Sequence, residues 1–173
     1  MYYLRIFLLV TGIWLLMIDA MSADTSLQEQ IDRTPAGGTL VIENGTYNEP
    51  IDIRKPIRIV AKDEAMIVYD GEEAAVSING NDVSIDNLTV KASENATAAV
   101  SVIGEGHSLT NMKITTATTA IKLYKARHVL VEGTEIIGQA WKRAVNLDES
   151  DDNIVRENIV KNLEAGFYVE DSR

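Results

Sequence analysis

The feature that most constrains this chain is a phase that returns every 21–24 residues. Five segments share one pattern, small–apolar–polar–apolar: Ala75-Val76-Ser77-Ile78, Ala99-Val100-Ser101-Val102, Ala120-Ile121-Lys122-Leu123, Ala144-Val145-Asn146-Leu147 and Gly166-Phe167-Tyr168-Val169. Their second positions step by 24, 21, 24 and 22 residues. A second pattern recurs between them, at Ile85–Val90, Leu109–Ile114, Val131–Ile136 and Val155–Val160, with first positions stepping by 24, 22 and 24. Self-similarity at such a period marks a repeat architecture. Alternation of apolar and polar residues over a few positions predicts strands. Asn, Gly, Asp and Ser cluster between the strands, as turns require; Asn79-Gly80-Asn81-Asp82 and Gly104-Glu105-Gly106 are examples.

Two or three short strands per period, with no helix-length segment between them, predict a solenoid whose coils pair in parallel. Equivalent residues then stack about 4.8 Å apart. Stacking predicts four inward columns. One holds Val76, Val100, Ile121, Val145 and Phe167; a second holds Ile78, Val102, Leu123, Leu147 and Val169. The third holds Ile85, Leu109, Val131 and Val155, and the fourth Val90, Ile114, Ile136 and Val160. An antiparallel sandwich also has short strands, but nothing in it demands the same phase in each period. The expected fold is therefore all-β, a parallel β-helix of about five coils.

The front of the chain reads differently. After Arg5, Ile6–Ile18 is an uncharged run of 13 residues, followed by Asp19 and the small residues Ala20, Ser22 and Ala23. Basic start, apolar middle and small-residue exit predict a signal peptide over 1–23; a membrane span needs about 20 apolar residues, and a retained anchor is the alternative. Ser26-Leu27-Gln28-Glu29 is a capping-box pattern. Leu27 and Ile31 fall on one helical face, and Pro35 with Gly37-Gly38 stops the helix. Residues 24–38 are thus expected to be a capping helix and turn, and 39–173 the repeats.

Composition removes several function classes. With no cysteine there is no disulfide, thiolate metal site or cysteine nucleophile. Twenty-six acids against 16 bases, a net charge of −10, oppose nucleic-acid binding, which needs a basic footprint. No G-x-S-x-G, H-E-x-x-H or phosphate-loop motif is present.

The stretch Leu27–Asp70 resembles the opening of NosD-like or pectate-lyase-like right-handed parallel β-helix proteins. The matching parts are the helix LQEQID, then GGTLVIENGTY, then I-x-I-x-K-P-I-x-I. The Asn-containing turn Asp152–Val160 is similar to later coils of the same group. The resemblance implies an exported, repeat-built protein. NosD proteins are accessory factors in copper-site maturation of nitrous oxide reductase, and the wider group, the carbohydrate-binding and sugar hydrolase repeats, includes lyases, epimerases and hydrolases. Copper enters only through this resemblance.

The residues themselves offer few ligand sets. Copper favours His, Met and Cys, yet His107 and His128 fall in adjacent columns of neighbouring coils and point to opposite sides, and Met112 shares a mixed column with Leu88, Thr134 and Asn158. Asp148, Glu149, Asp151 and Asp152 fall in one turn and read as a solvated acidic loop. Asn44, Asn87 and Asn95 open N-x-T triplets but read as turn and stack residues. The richest outward face pairs Lys122, Asn146 and Tyr168 in one column with Tyr124, Asp148 and Glu170 in the next. These six are the candidate ligand-binding residues. Asp148 and Glu170, one coil apart, have the spacing a retaining glycosidase needs. Trp141 is read as a turn plug or a further aromatic.

The reading is an exported, non-catalytic accessory or binding protein resembling the NosD maturation factor, in the periplasm, cell envelope or outside the cell, with no catalytic or metal-ligating residue assigned. The alternative is a polysaccharide-binding or polysaccharide-degrading enzyme, a lyase, epimerase or hydrolase, or a fragment of one. The expected partner is a copper-enzyme maturation protein or an extracellular polysaccharide. The strand Gly166–Val169 is expected to present an open edge, as in a helix truncated at that end, that pairs with further coils or another chain.

Overall fold

The computed structural model describes residues 25–138 and 142–172. The leader expected at 1–23, and Trp141, lie outside them. No helix of the described residues is long and apolar enough to cross a membrane.

Chain order follows the repeat. Helix α1 (Leu27–Arg33) opens the structure, and six coils of three strands follow. They are β1 (Thr39–Ile42), β2 (Gly45–Tyr47) and β3 (Ile51–Ile53); β4 (Ile57–Ala61), β5 (Ala65–Tyr69) and β6 (Val76–Ile78); β7 (Val83–Asp86), β8 (Thr89–Ala92) and β9 (Val100–Glu105); β10 (Ser108–Thr110), β11 (Lys113–Thr116) and β12 (Ile121–Arg127); β13 (Leu130–Glu132), β14 (Glu135–Gly138) and β15 (Arg143–Asp148); β16 (Ile154–Arg156), β17 (Ile159–Lys161) and β18 (Ala165–Glu170). The first strand of every coil joins sheet A, the second sheet B and the third sheet C, each six-stranded and paired in parallel throughout. That is one coil more than the repeat pattern counts. The extra third strand is Ile51-Asp52-Ile53, in register with Val76-Ser77-Ile78; Pro50 stands where the later coils carry Ala or Gly, which hides it from the pattern.

The predicted columns form the lumen. Val76, Val100, Ile121 and Val145 are buried in register, as are Ile78, Val102 and Leu123, Ile85, Leu109 and Val131, and Val90, Ile114 and Ile136. Each fully buried aliphatic side chain contributes about 1.5–3 kcal/mol, and only its neighbours above and below supply the burial. The final coil departs from expectation for that reason. Phe167 and Val169 hold their column positions but are 53% and 59% exposed, because no strand covers them among the described residues.

Corners are built by left-handed backbone and by side chains standing in for missing strand partners. Asn87, Asn111, Gly133 and Glu157, with φ of 62°, 53°, 63° and 57°, turn the chain from sheet A to sheet B in four successive coils. Asn and Gly tolerate this region, and Glu157 adopts it because the stack dictates the turn. At the corner from sheet C to sheet A, Ser150 Oγ accepts from Ala126 N (3.1 Å) and donates to Asp148 O (2.8 Å). Asn153 accepts from Val129 N and donates to Ala126 O, and Asn158 treats Thr134 N and Val131 O alike. Buried backbone groups need such partners.

At the front, Ser26 Oγ accepts from Glu29 N (3.1 Å) as the helix cap. The reciprocal half of the capping box is absent: Glu29 pairs with Arg33 one turn on. Leu27 and Ile31 are buried on coil 1. Gln28 occupies the outer edge of β3, its Oε1 accepting from Asp52 N (2.7 Å) and its Nε2 donating to Asp52 O (3.1 Å).

Candidate functional site

The outward face of sheet C carries the six predicted site residues, and the register brings them together. Lys122, Asn146 and Tyr168 pair in one column, Tyr124, Asp148 and Glu170 in the next. Three consecutive coils at about 4.8 Å spacing, with two outward positions about 6.6 Å apart along each strand, place all six on one patch. Lys122, Tyr124, Asn146 and Asp148 are half-buried, and Tyr168 and Glu170 are exposed. The Lys122 column extends back through Ser101 and Ser77 to Asp52.

Cations hold both aromatic rings. Lys122 Nζ and Lys125 Nζ lie 5.7 and 4.9 Å from the Tyr124 ring centre, and the Arg143 guanidinium lies 3.4 Å from that of Tyr168. Such contacts contribute about 0.5–1 kcal/mol where exposed and restrict the rings. Lys125 reaches Tyr124 through a feature with no sequence signal, a bulge between Leu123 and Ala126 opposite β9. It has φ of 51°, and Glu149 and Asp171 repeat the conformation in the next two coils. Its hydrogen bond with Tyr124, then the charge of Glu149, holds the Lys125 ammonium above its ordinary pKa.

The acidic turn is solvated, as expected, and its acids also face basic side chains of the preceding coil: Glu149 lies 3.6 Å from Lys125 and Asp151 3.9 Å from Arg127, and the Asp152 carboxylate lies 4.0 Å from His128 Nε2.

The two histidines do point apart. His128 is exposed at a left-handed corner. His107 is 2% exposed, inside the lumen wall, its Nδ1 accepting from Val83 N (3.3 Å) and its Nε2 unpaired. Burial pushes the imidazole below its ordinary pKa, against the opposing pull of the Ile103 backbone and Asp82. Met112 is buried. Among the described residues no three His, Cys, Asp or Glu side chains are grouped to hold a metal ion.

Sequence reasoning missed a groove of about 820 Å³ at the other end of sheet C, between α1 and coils 1 and 2. Gln28, Asp32, Asp52, Arg54, Glu73 and Ser77 line it. Asp52 is fixed there by Arg54 (2.6 Å) and Asn79 (2.8 Å). Its signal was the capping helix beside a polar outward column, legible only once Asp52 is aligned with Ser77.

No curated protein matches the sequence. Among solved structures, a pectin methylesterase variant crystallised in complex with a hexasaccharide is similar over 80% of this chain at 13% identity, with a TM-score of 0.48. The chain spans 62% of the length of that structure. A family model described as the right-handed β-helix region matches residues 64–173. The chain belongs to the right-handed β-helix family.

Proposed function

We propose that this is an exported, non-catalytic accessory or binding protein, and that the outward face of sheet C takes an extended oligosaccharide. The observation that carries the reading is the register of Lys122–Asn146–Tyr168 beside Tyr124–Asp148–Glu170. A polymer lying across the coils meets the same two outward positions at every step. Restrained tyrosine rings offer apolar area at small entropic cost, and Asp148 and Glu170 offer acceptors for sugar hydroxyls. A copper-maturation role would run through protein contacts, since the two histidines lie on opposite sides of the wall. The test is titration with neutral and acidic oligosaccharides, followed by Tyr168→Ala and Lys122→Ala. Binding weakened at least tenfold by each substitution supports the proposal; no binding by any member at millimolar concentration overturns it.

One observation favours a second, enzymatic reading: Asp148 and Glu170 are register partners, so their strands lie about 4.8 Å apart, close to the roughly 5–5.5 Å between carboxyls of retaining glycosidases. Release of reducing ends that Asp148→Ala abolishes would establish it, and an inactive parent protein removes it.

A further inference from the structure

The outward face of sheet C continues past Lys122. The column runs back through Ser101 and Ser77 to Asp52 and enters the groove beside α1. The floor there is Asp52 on β3, Ser77 on β6 and Asn79 just after β6. Arg54 and Lys55, which follow β3, stand on one side. Pro50 and Glu73, which precede β3 and β6, stand on the other. Helix α1 closes the end: the Gln28 amide binds both Asp52 N and Asp52 O, where a strand of a further coil would pair. Some of the lining is already engaged. Arg54 and Asn79 hold Asp52, and Lys55 Nζ donates to Asp32 O (2.8 Å). The side chains of Glu73 and Ser77 make no hydrogen bond or ion pair among the described residues, and Asp32 spends one carboxylate oxygen on Gln28 Nε2 (2.9 Å). Convergent polar groups in a concave site fix a ligand's orientation. These are acceptors and a hydroxyl, which suit sugar hydroxyls; a ligand carboxylate would face Asp32 and Glu73. Between groove and patch, β9 presents small Ser101 and Ile103, 40% exposed, a low floor for a chain to cross.

We propose that the α1 groove takes the uncharged terminal sugar of an oligosaccharide whose body lies on the Lys122–Tyr168 patch, so that the protein recognises a chain end. The proposal rests on the oligosaccharide reading of sheet C. A chain that follows the column from Tyr168 reaches Asp52 after five coil steps, about 24 Å. It stops there, because α1 stands across its path. Short oligosaccharides cover only the patch on coils 4–6. A chain that reaches coil 1 engages the groove as a second, tethered subsite and gains affinity through effective concentration.

The test is calorimetric titration of the full-length protein with size-graded gluco-, manno- and galacto-oligosaccharides and with oligogalacturonides as the acidic series. In a neutral series, affinity should rise at least tenfold between chains that cover coils 4–6 and chains that reach coil 1. Ser77→Trp, which fills the floor, and Glu73→Ala, which removes an unpartnered acceptor, should each abolish that gain. Both should leave short chains bound as before and the far-ultraviolet spectrum unchanged. Tyr168→Ala should weaken binding at every length. On a long neutral polymer, sedimentation should find one protein per chain. The end subsite is overturned, with the patch reading left standing, if affinity is independent of length or the gain survives both groove substitutions. A gain confined to the acidic series, or several proteins on each polymer chain, overturns it likewise. No binding by any member of any series overturns the patch reading and the end subsite together.

Discussion

Leu123 offers the sharpest test of the stacked core. It is fully buried and in register with Val102 on one side and Leu147 on the other. Truncation to Ala removes its transfer energy and leaves a cavity, about 2.7–5 kcal/mol in all. The lumen walls are hydrogen-bonded strands that collapse poorly, so the upper part of that range applies, about 4 kcal/mol. With a urea slope of about 2 kcal/mol per molar for a chain this size, the midpoint falls by about 2 M. Val102→Ala alone costs about 2 kcal/mol. The two residues share one cavity, so the double variant should depart from additivity by roughly 0.5–3 kcal/mol. Ile42→Ala supplies the control. It is equally buried but three coils away, about 14 Å along the axis, and its effect should add to that of Leu123→Ala within about 0.5 kcal/mol. Urea unfolding followed by circular dichroism on the singles and both doubles gives the full cycle. Additivity of Val102 with Leu123, or stronger coupling of Ile42 with Leu123, would refute stacking in this register.

Other expectations follow from single residues. Ser150→Ala leaves the Ala126 amide without its acceptor, a loss of about 1–3 kcal/mol, and hydrogen exchange at Ala126 should quicken before that of the strands around it. Gly104→Ala should cost several kcal/mol or block folding, since its φ is +106° and a Cβ would stand 2.2 Å from the Gly80 carbonyl oxygen; a stable variant with a native spectrum would contradict this close approach of neighbouring coils. The folded-state pKa of His107 is depressed by burial, so the unfolded chain binds the proton more readily. Stability is full above about 6.5, the ordinary histidine value, and falls as pH drops below it. Exposed Glu135, held low first by its hydrogen bond to Lys161, contributes only to a loss that begins at more acidic pH. Thermal melts from pH 8 to 5 should show the early limb in the parent and its removal in His107→Val.

The core was legible in the sequence because stacking repeats it. Val100, Ile121 and Val145 occupy equivalent places in successive coils, so one physical demand is printed several times at a fixed interval. The alignment of the candidate patch was legible for the same reason: Lys122, Asn146 and Tyr168 need only the phase to fall in one column. Features set by one coil against a particular neighbour were not. The bulge that brings Lys125 to Tyr124 depends on β9 lacking the extra residue. The pairing of Glu149 with Lys125 depends on corner geometry that a run of acids does not encode.

By itself, the sequence determined the parallel coil, its phase, its inward columns, its capping helix and the candidate outward patch, because each follows from local alternation and a period. Only the tertiary structure decided which members of a column are covered. Phe167 and Val145 have equivalent places in the pattern, yet Val145 is buried and Phe167 is 53% exposed. Burial in a solenoid comes from the adjacent coils, so a residue's environment depends on what lies above and below it.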